Sequence, residues 1–147
     1  MSHASPFNIR VYGLLINENN QILLSDEYRT NTYMCKFPGG GLEYGEGTID
    51  CLKREFREEL DIEIEIDSHF YTTDYFQKAQ FFENMQLISI YYLVTSKDIL
   101  SIHTTSKKFD IRPIEGEQAF RWVSIKELNE SELTFPIDKK VAKTLKQ

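Results

Sequence analysis

Short runs rich in apolar, β-branched and aromatic residues recur along the chain between polar, turn-forming residues, which is the pattern of β-strands. Residues 8–16 (NIRVYGLLI) and 21–25 (QILLS) are the first two such stretches. The turn-forming sequence Glu-Asn-Asn between them predicts a β-hairpin. Residues 85–95 (MQLISIYYLVT) form the most strand-like run, and we expect it to lie centrally in a sheet. Residues 26–34 are polar and turn-prone, so we predict a loop there.

One helix is predicted between two groups of strands. Residues 48–60 contain no Pro or Gly and are dominated by Leu, Lys, Arg and Glu, which are good helix formers. Residues 62–66 (IEIEI) predict a strand that continues after a bend through residues 69–76, and residues 119–123 (AFRWV) predict the last strand. The polar stretch 97–113 lacks periodicity and is predicted to be a loop. This order of elements indicates a mixed sheet with helices packed on it.

Two helices are predicted near the end of the chain. Ser124 and Glu127 have the spacing of a capping box, which predicts a short helix. Residues 134–147 predict a terminal helix that starts at Pro136. Its apolar face consists of Ile137, Val141 and Leu145.

Composition limits the class of protein. A chain of 147 residues with 41% hydrophobic and 27% charged residues is typical of one globular domain, here residues 1–147. The net charge of −6 argues against binding to a nucleic-acid polymer. No apolar run reaches membrane-spanning length and residues 1–10 do not resemble a leader, so we expect a soluble, cytoplasmic protein. Cys35 and Cys51 are expected to be reduced thiols, not a disulfide or zinc site.

Three carboxylates on the central helix are the first candidate chemistry. Glu55, Glu58 and Glu59 are spaced three and four residues apart, so they project from one side of the helix. Carboxylate oxygens are hard ligands that suit Mg²⁺ and Mn²⁺. The alternative is a solvated helix face, which is what most charged helical runs are. The glycine-rich turn before the helix, residues 38–41 (PGGG), favours a ligand site, because glycines let the backbone approach a ligand closely.

The spacing of the turn and helix resembles a known family motif. Residues 40–62 (GGLEYGEGTIDCLKREFREELDI) are similar to the Nudix box, G-x5-E-x7-R-E-U-x-E-E-x-G-U, where U is apolar. Every fixed position matches except the last glycine, which is Asp61 here. That glycine lies just past the helix end in a left-handed conformation, which Asp tolerates better than most residues. The resemblance implies an α/β/α sandwich with a mixed sheet.

The resemblance to Nudix hydrolases also implies an activity. Most members hydrolyse a pyrophosphate bond in a nucleoside diphosphate linked to another group, with Mg²⁺ or Mn²⁺ as cofactor. By position, Glu55, Glu58, Glu59 and the Gly39 carbonyl match the metal ligands of the family. Arg54 matches the arginine that orients these glutamates, and its spacing allows a salt bridge to Glu58.

The resemblance leaves the general base open. In many members it is an acid in the loop before the last strand, where this chain has Glu115 and Glu117. Glu83 is a third candidate. Glu46 is expected to be structural, since an acid near a helix start is stabilised by the helix dipole.

Substrate-binding residues are harder to predict. Arg10 on the first strand could contact a phosphate or base edge, or simply be exposed. Tyr75 and Phe76 could stack on a nucleobase, together with Tyr71, Phe81 and Phe82, although aromatic residues in strands more often belong to the core. The sequence does not choose among a nucleoside triphosphate, a nucleotide sugar, ADP-ribose and a dinucleoside polyphosphate.

Two other functions compete with the hydrolase. A Nudix-fold sensor would bind a nucleotide derivative without turnover, but the chain retains all three helix glutamates. A fold whose acidic helix is only a solvated face would show no metal dependence. The number of metal ions and the choice between a monomer and a homodimer are not predicted.

Overall fold

The computed structural model describes residues 6–80 and 83–147. Seven strands and two α-helices are present in this part of the chain, with single-turn 3-10 helices at Ile99–Ser101 and Glu130–Glu132. In chain order the elements are β1 (Phe7–Leu15), β2 (Gln21–Arg29), β3 (Thr32–Lys36), β4 (Gly39–Gly41), α1 (Thr48–Leu60), β5 (Glu65–Thr72), β6 (Gln86–Thr95), β7 (Gln118–Ser124) and α2 (Pro136–Leu145).

The strands form two sheets. The first has the order β4-β1-β6-β5 and is mixed, because β1 and β6 are parallel while the outer strands are antiparallel to their neighbours. The second has the order β3-β2-β7 and is antiparallel. The predicted mixed sheet is confirmed, and β6 lies inside its sheet as expected.

Each α-helix covers a separate hydrophobic core. The odd-numbered residues Val11, Leu15 and Leu23 pack in a cluster with Leu52 and Phe56 of α1. The even-numbered residues of the same two strands pack in a second cluster with α2; its members are Tyr12, Leu14, Ile22, Leu24, Ile137, Val141 and Ala142. Because successive side chains of a strand point to opposite faces, β1 and β2 are buried on both sides. The predicted α/β/α arrangement is thereby confirmed.

The predicted hairpin between the first two strands is wrong. β1 and β2 belong to different sheets. Next to the turn that joins them, Ile16 and Ile22 form an isolated antiparallel bridge. β1 instead pairs with β6 and β4. Local alternation gave no information on these partners, which are distant in the sequence.

The predicted loop at residues 26–34 is also wrong. β2 continues to Arg29 and forms a hairpin with β3, and the turn residues Thr30 and Asn31 both have positive φ. The polar residues that suggested a loop, Asp26 and Glu27, are buried within β2. They form salt bridges with cations from other positions, which hydrophobicity patterns do not reveal.

Smaller corrections concern residues 62–66, 69–76 and 124–127. β5 begins at Glu65 and ends at Thr72, while Ile62 and Ile64 are buried outside any strand. The capping-box stretch forms a turn closed by a hydrogen bond from Glu127 N to Ser124 O. These residues pack into the cores through irregular backbone. The central helix and the terminal helix starting at Pro136 are confirmed.

Two further observations bear on the sequence analysis. Cys35 and Cys51 are buried and free, in agreement with the expected thiols. Within the described ranges, no helix combines the length and apolar character needed to cross a membrane.

Candidate active site

Helix α1 starts at Thr48, after the loop 42–47 that follows the glycine strand β4, and ends at a left-handed residue. The backbone N–H of Cys51 donates to the carbonyl of Gly47, the residue before the helix. Asp61, just past the helix, has φ 54° and ψ 40°, and its N–H donates to the carbonyl of Arg57. The left-handed conformation expected at Asp61 is therefore present, and an Asp closes the helix where the family motif has glycine.

Arg54 links the helix to the glycine turn. Its Nε and Nη2 donate to the two oxygens of Glu46, at 2.9 and 2.7 Å. Nη1 donates to Glu55 at 2.9 Å and to Glu58 at 3.2 Å. Nη2 also donates to the carbonyl of Gly41 at 3.1 Å. Such a fork of donors suits several carboxylates at once, so Arg54 fixes their relative positions.

Glu46 is part of this structural connection. The donors of Arg54 are the largest cause that lowers the pKa of Glu46 to about 2, and the backbone N–H of Glu43 adds to the effect. Glu46 therefore stays ionised and bridges Arg54 to the loop before α1. These contacts favour the structural role expected for Glu46.

Two glycines let the backbone of β4 pass closely beside the helix. A Cβ at Gly40 would lie only 2.4 Å from the carboxyl carbon of Glu55. At Gly39 the φ is 150°, and a Cβ would lie 2.1 Å from the carbonyl oxygen of Val11. Larger residues would clash at both positions. The carboxylate of Glu55 thus lies directly against the glycine strand, as the sequence pattern suggested.

A cleft of about 360 Å³ opens beside this strand. It contains four of the residues predicted for the site: Gly39, Glu55, Glu59 and Arg10. Its walls come from β1 to β4, α1, β6, the segment after β5 and the start of α2. The fold therefore brings the acidic helix, the glycine strand and a cation of β1 to one concave surface, which is where small-molecule sites usually lie.

Arg10 is an arginine of this cleft whose charge is not paired with a carboxylate of the described residues. Its Nε donates to the hydroxyl of Tyr12 at 3.1 Å. Across residues 6–80 and 83–147 it forms no salt bridge with a carboxylate. The guanidinium can therefore receive an anion without breaking an existing ion pair.

Glu59 is the least compensated of the three helix acids. Its pKa is raised to about 7, chiefly by burial and also by the neighbouring carboxylates Glu27 and Glu55, while Lys36 and a hydrogen bond from Gln118 oppose the rise. No salt bridge to Glu59 is present in the described part of the chain. This excess of negative charge is the condition under which a bound cation is stabilising.

The helix acids fit a hard divalent cation by donor type but are not assembled into a complete metal site. Among the described residues, no three Asp, Glu, His or Cys side chains are grouped closely enough to hold a metal ion. Glu55 and Glu59 line the cleft with Gly39, whereas Glu58 is turned to Arg54 and is 58% exposed. A cation would therefore require the carboxylate of Glu58 to leave Arg54.

The three candidate bases lie in different surroundings. Glu117 accepts a hydrogen bond from Arg112 at 2.7 Å and lines a second cavity, whose wall also includes Glu59. Glu115 is exposed and accepts from the backbone N–H of Thr30 at 2.8 Å. Glu83 is exposed in the turn before β6. Glu117 is thus the candidate that shares a cavity with a helix acid.

The aromatic residues predicted to bind substrate lie outside the cleft lining. Lys140 lies 4.7 Å from the centre of the Tyr75 ring, and Phe76 is 70% exposed. The backbone segment that follows them, residues 77–80, lines the cleft instead. Phe81 and Phe82 fall outside the described residues.

Four charged cleft residues were not identified from the sequence, namely Arg29, Lys36, Lys78 and Asp138. Lys36, at the end of β3, is 7% exposed and lies in a stretch that gave no chemical signal. Asp138 is fully buried in the first turn of α2 and accepts a hydrogen bond from the hydroxyl of Tyr91. Burial raises the pKa of Asp138 to about 6, and its Oδ2 has no hydrogen-bond partner. The sequence signal that could have identified Asp138 is its position as an acidic residue next to the apolar face of the terminal helix.

Comparison with a protein family settles the class of the chain. The sequence model of a family described as "NUDIX domain" matches residues 6–145. The chain belongs to this family, so the resemblance seen in residues 40–62 is confirmed and extends over nearly the whole sequence. The match supports the predicted class of enzyme, a Nudix pyrophosphohydrolase. Among curated proteins, none matches the chain significantly.

Solved structures share the same fold at low sequence identity. A NUDIX hydrolase from Nitrosomonas europaea superposes with a TM-score of 0.67 and 19% identity, covering 92% of this chain and 86% of that one. A MutT protein from Methanosarcina mazei Go1 gives 0.66 and 19%, covering 98% and 96%. An ADP-ribose pyrophosphatase from Streptococcus suis gives 0.58 and 17%, covering 96% and 87%. These similarities confirm the Nudix fold.

Proposed function

We propose that this protein uses a divalent cation, Mg²⁺ or Mn²⁺, to hydrolyse a pyrophosphate bond in a nucleoside diphosphate linked to another group. The observation that carries the proposal is the convergence of Glu55, Glu59, Gly39 and Arg10 on one cleft. Two acids and a backbone oxygen offer hard ligands on one wall, while a cation without a carboxylate partner offers a phosphate contact on another.

The metal would be held by Glu55, Glu58 and Glu59 with the carbonyl of Gly39. A bound divalent cation would neutralise phosphate charge and acidify water, which lowers the barrier to attack on a phosphoanhydride. Arg54 holds Glu55 against the glycine strand, and its bond to Glu58 would have to be released for Glu58 to join the metal. Burial of Glu59 beside other carboxylates makes it the acid that gains most from a cation.

The proposed general base is Glu117, because it shares a cavity with Glu59. Glu115 is the second candidate, and its hydrogen bond to Thr30 supports a role in holding the β2–β3 turn. Arg10 would contact the phosphate chain of the substrate. Tyr75 and Phe76 would then act only after the segment that carries them moves, since neither lines the cleft.

The substrate is proposed at the level of a class. Two structural neighbours, named as a MutT protein and an ADP-ribose pyrophosphatase, support nucleotide derivatives as the substrate class. The predicted cytoplasmic location is compatible with any of these substrates and stays a prediction.

Release of phosphate and pyrophosphate from a panel of nucleotide derivatives, with Mg²⁺, Mn²⁺ or chelator, tests the proposal. We expect turnover on at least one derivative, none in chelator, and a loss of about a hundredfold or more in Glu55→Gln. Glu63→Gln is the matched control, because Glu63 forms an exposed ion pair with Arg57 away from the cleft. Equal loss in both variants would contradict the assignment of Glu55.

The same panel decides between the enzyme and the sensor. Tight binding of a nucleotide with no product in any metal would favour a binding module. Glu117→Gln and Glu115→Gln, compared on the best substrate, separate the two base candidates. We expect Glu117→Gln to lower kcat by about a hundredfold and Glu115→Gln to have a small effect.

A further inference from the structure

Two adjacent acids in the middle of β2 are both buried but serve opposite faces of the strand. Asp26 and Glu27 are at most 1% exposed. Asp26 pairs with Arg121, which lies behind the sheet and does not line the cleft. Glu27 pairs with Lys36 and Arg29, both of which line the cleft. Glu27 itself does not line the cleft, so any effect it has there is transmitted through its partners.

The carboxylate of Glu27 is held by donors on all sides. Its Oε1 accepts from Arg29 Nε at 2.7 Å, and its Oε2 accepts from the hydroxyl of Ser25 at 2.8 Å. Gln118 Nε2 donates to Oε2 at 3.3 Å, and Lys36 Nζ lies 3.3 Å from the same oxygen. A buried carboxylate with this many partners is ionised and fixed in place.

Lys36 lines the cleft together with Glu59 and Asp138, and among the described residues it forms a salt bridge with neither of them. Its ammonium acts electrostatically on both Glu27 and Glu59. The salt bridge is to Glu27, and in the described part of the chain none joins Lys36 to Glu59. Because Lys36 is 7% exposed, water compensates its charge poorly, and an ion-pair partner is strongly favoured. Without Glu27, this ammonium would act on two cleft acids, Glu59 and Asp138, of which Glu59 is the one that also experiences the charge of Glu27.

We propose that Glu27 is a positioning residue that occupies Lys36 and thereby keeps the Glu59 carboxylate free to bind a divalent cation. The inference builds on the metal site of the proposed function, in which Glu59 is a ligand. If Glu27 lost its charge, Lys36 would pair with Glu59, and the cation would have to compete with an internal ammonium. Glu27 would then control metal affinity without contacting the metal, as outer partners of metal ligands commonly do.

Binding of Mn²⁺ alone, followed by the EPR signal of the free ion, tests this inference without any need for turnover. We expect Glu27→Gln to weaken Mn²⁺ binding by about 10-fold to 100-fold. Lys36→Met, which removes the competing ammonium, should bind Mn²⁺ at least as tightly as the wild type. The double variant Glu27→Gln/Lys36→Met should return to within about threefold of wild-type affinity, because the two effects act through one contact.

Two controls separate this mechanism from general effects of charge and stability. Arg29→Gln removes a positive charge that also pairs with Glu27 and lies near Glu59, so it should not rescue Glu27→Gln if Lys36 is the transmitting residue. Asp26→Asn breaks the buried ion pair on the opposite face of β2. It should lower thermal stability and leave Mn²⁺ affinity unchanged.

The possible results are distinguishable. Equal rescue by Arg29→Gln and Lys36→Met would overturn the inference, as would wild-type Mn²⁺ affinity in Glu27→Gln or no Mn²⁺ binding by the wild type. If Glu27→Gln does not fold, weakened binding in Lys36→Met alone overturns it, and tighter binding supports it. Altered Mn²⁺ binding without hydrolysis of any substrate would leave the inference intact and refute the proposed function.

Discussion

The two ends of the acidic stretch on α1 are treated differently by the fold. Toward its start, Glu55 is bonded to Arg54, which also binds Glu46 with two nitrogens and Glu58 with one. Toward its end, Glu59 is partly buried in the cleft, has no salt bridge in the described residues, and has a pKa raised to about 7. Both ends carry the same residue type on the same helix.

The difference separates what holds the site together from what makes it reactive. Carboxylates paired with Arg54 are satisfied in the protein itself, so they fix the glycine turn against the helix. Ionised Glu59 lowers the stability of the fold, because its charge is poorly compensated until a cation binds. We conclude that binding energy for a ligand is concentrated at the end of the helix where the protein leaves charge unbalanced.

Glu59→Gln should give the largest effect and break the comparison most directly. Hydrolysis should fall by about a hundredfold or more, because a ligand of the proposed metal is lost. The metal-free protein should nevertheless become more stable at pH 8, by about 2 kcal/mol, because the cost of ionising this acid disappears. Urea unfolding in chelator measures the stability. A less stable variant at pH 8 would contradict the view of Glu59 as an uncompensated charge.

Gly40→Ala should disturb the satisfied end. Its Cβ would lie within 2.5 Å of both carboxylate oxygens of Glu55, so the side chain must move and its bond to Arg54 must weaken. We expect a loss of stability of about 0.2–1 kcal/mol, the scale of a weakened ion pair, because the flexible end of Glu55 can shift, together with a clear fall in kcat. Thermal unfolding and steady-state kinetics measure the two effects.

Gly41→Ala is the control for that variant. A Cβ at Gly41 would meet Arg10 Nη1 at an ordinary 3.7 Å, although the position belongs to the same short strand. Its stability should stay close to that of the wild type. Similar losses in Gly40→Ala and Gly41→Ala would show that the close approach to Glu55 is not the cause.

The pH dependence of stability should differ for the two ends. The pKa of Glu46 is lowered to about 2, so its stabilising effect is complete above pH 4.5 and is lost as the pH falls toward 2. The pKa of Glu59 is raised to about 7, so its contribution to the stability of the fold is complete below pH 4.5 and is lost as the pH rises through 7. The test is the urea midpoint of unfolding, measured in chelator from pH 2 to 8. We expect the midpoint to depend less on pH at the acid side in Glu46→Gln and at the neutral side in Glu59→Gln.

Asp61→Gly should give the smallest effect. The residue is left-handed with φ 54°, a conformation that glycine adopts without steric cost. Greater freedom of glycine in the unfolded chain offsets part of the gain, so we expect a stabilisation of a few tenths of a kcal/mol at most. Turnover should stay nearly unchanged. A large loss of activity would show that Asp61 contributes to the site and not only to the helix end.

The sequence by itself determined the features that depend on local spacing. Glu55 and Glu59 are four residues apart, about one helical turn, so they lie on one side of α1. A Pro marks the start of α2. The family motif identified the glycine turn and the helix together, including the left-handed end at Asp61. These features survive because helix geometry and turn chemistry are set by near neighbours in the chain.

The tertiary structure decided which distant groups meet. β1 pairs with β6, which lies 79 positions further along the chain (Phe7 opposite Gln86), and not with the adjacent β2. Both faces of β1 and β2 are buried under helices. Glu27 and Lys36 meet only because the predicted loop is a pair of strands. A buried charge is stable only when its partner is in place, and the periodicity of the sequence does not identify that partner.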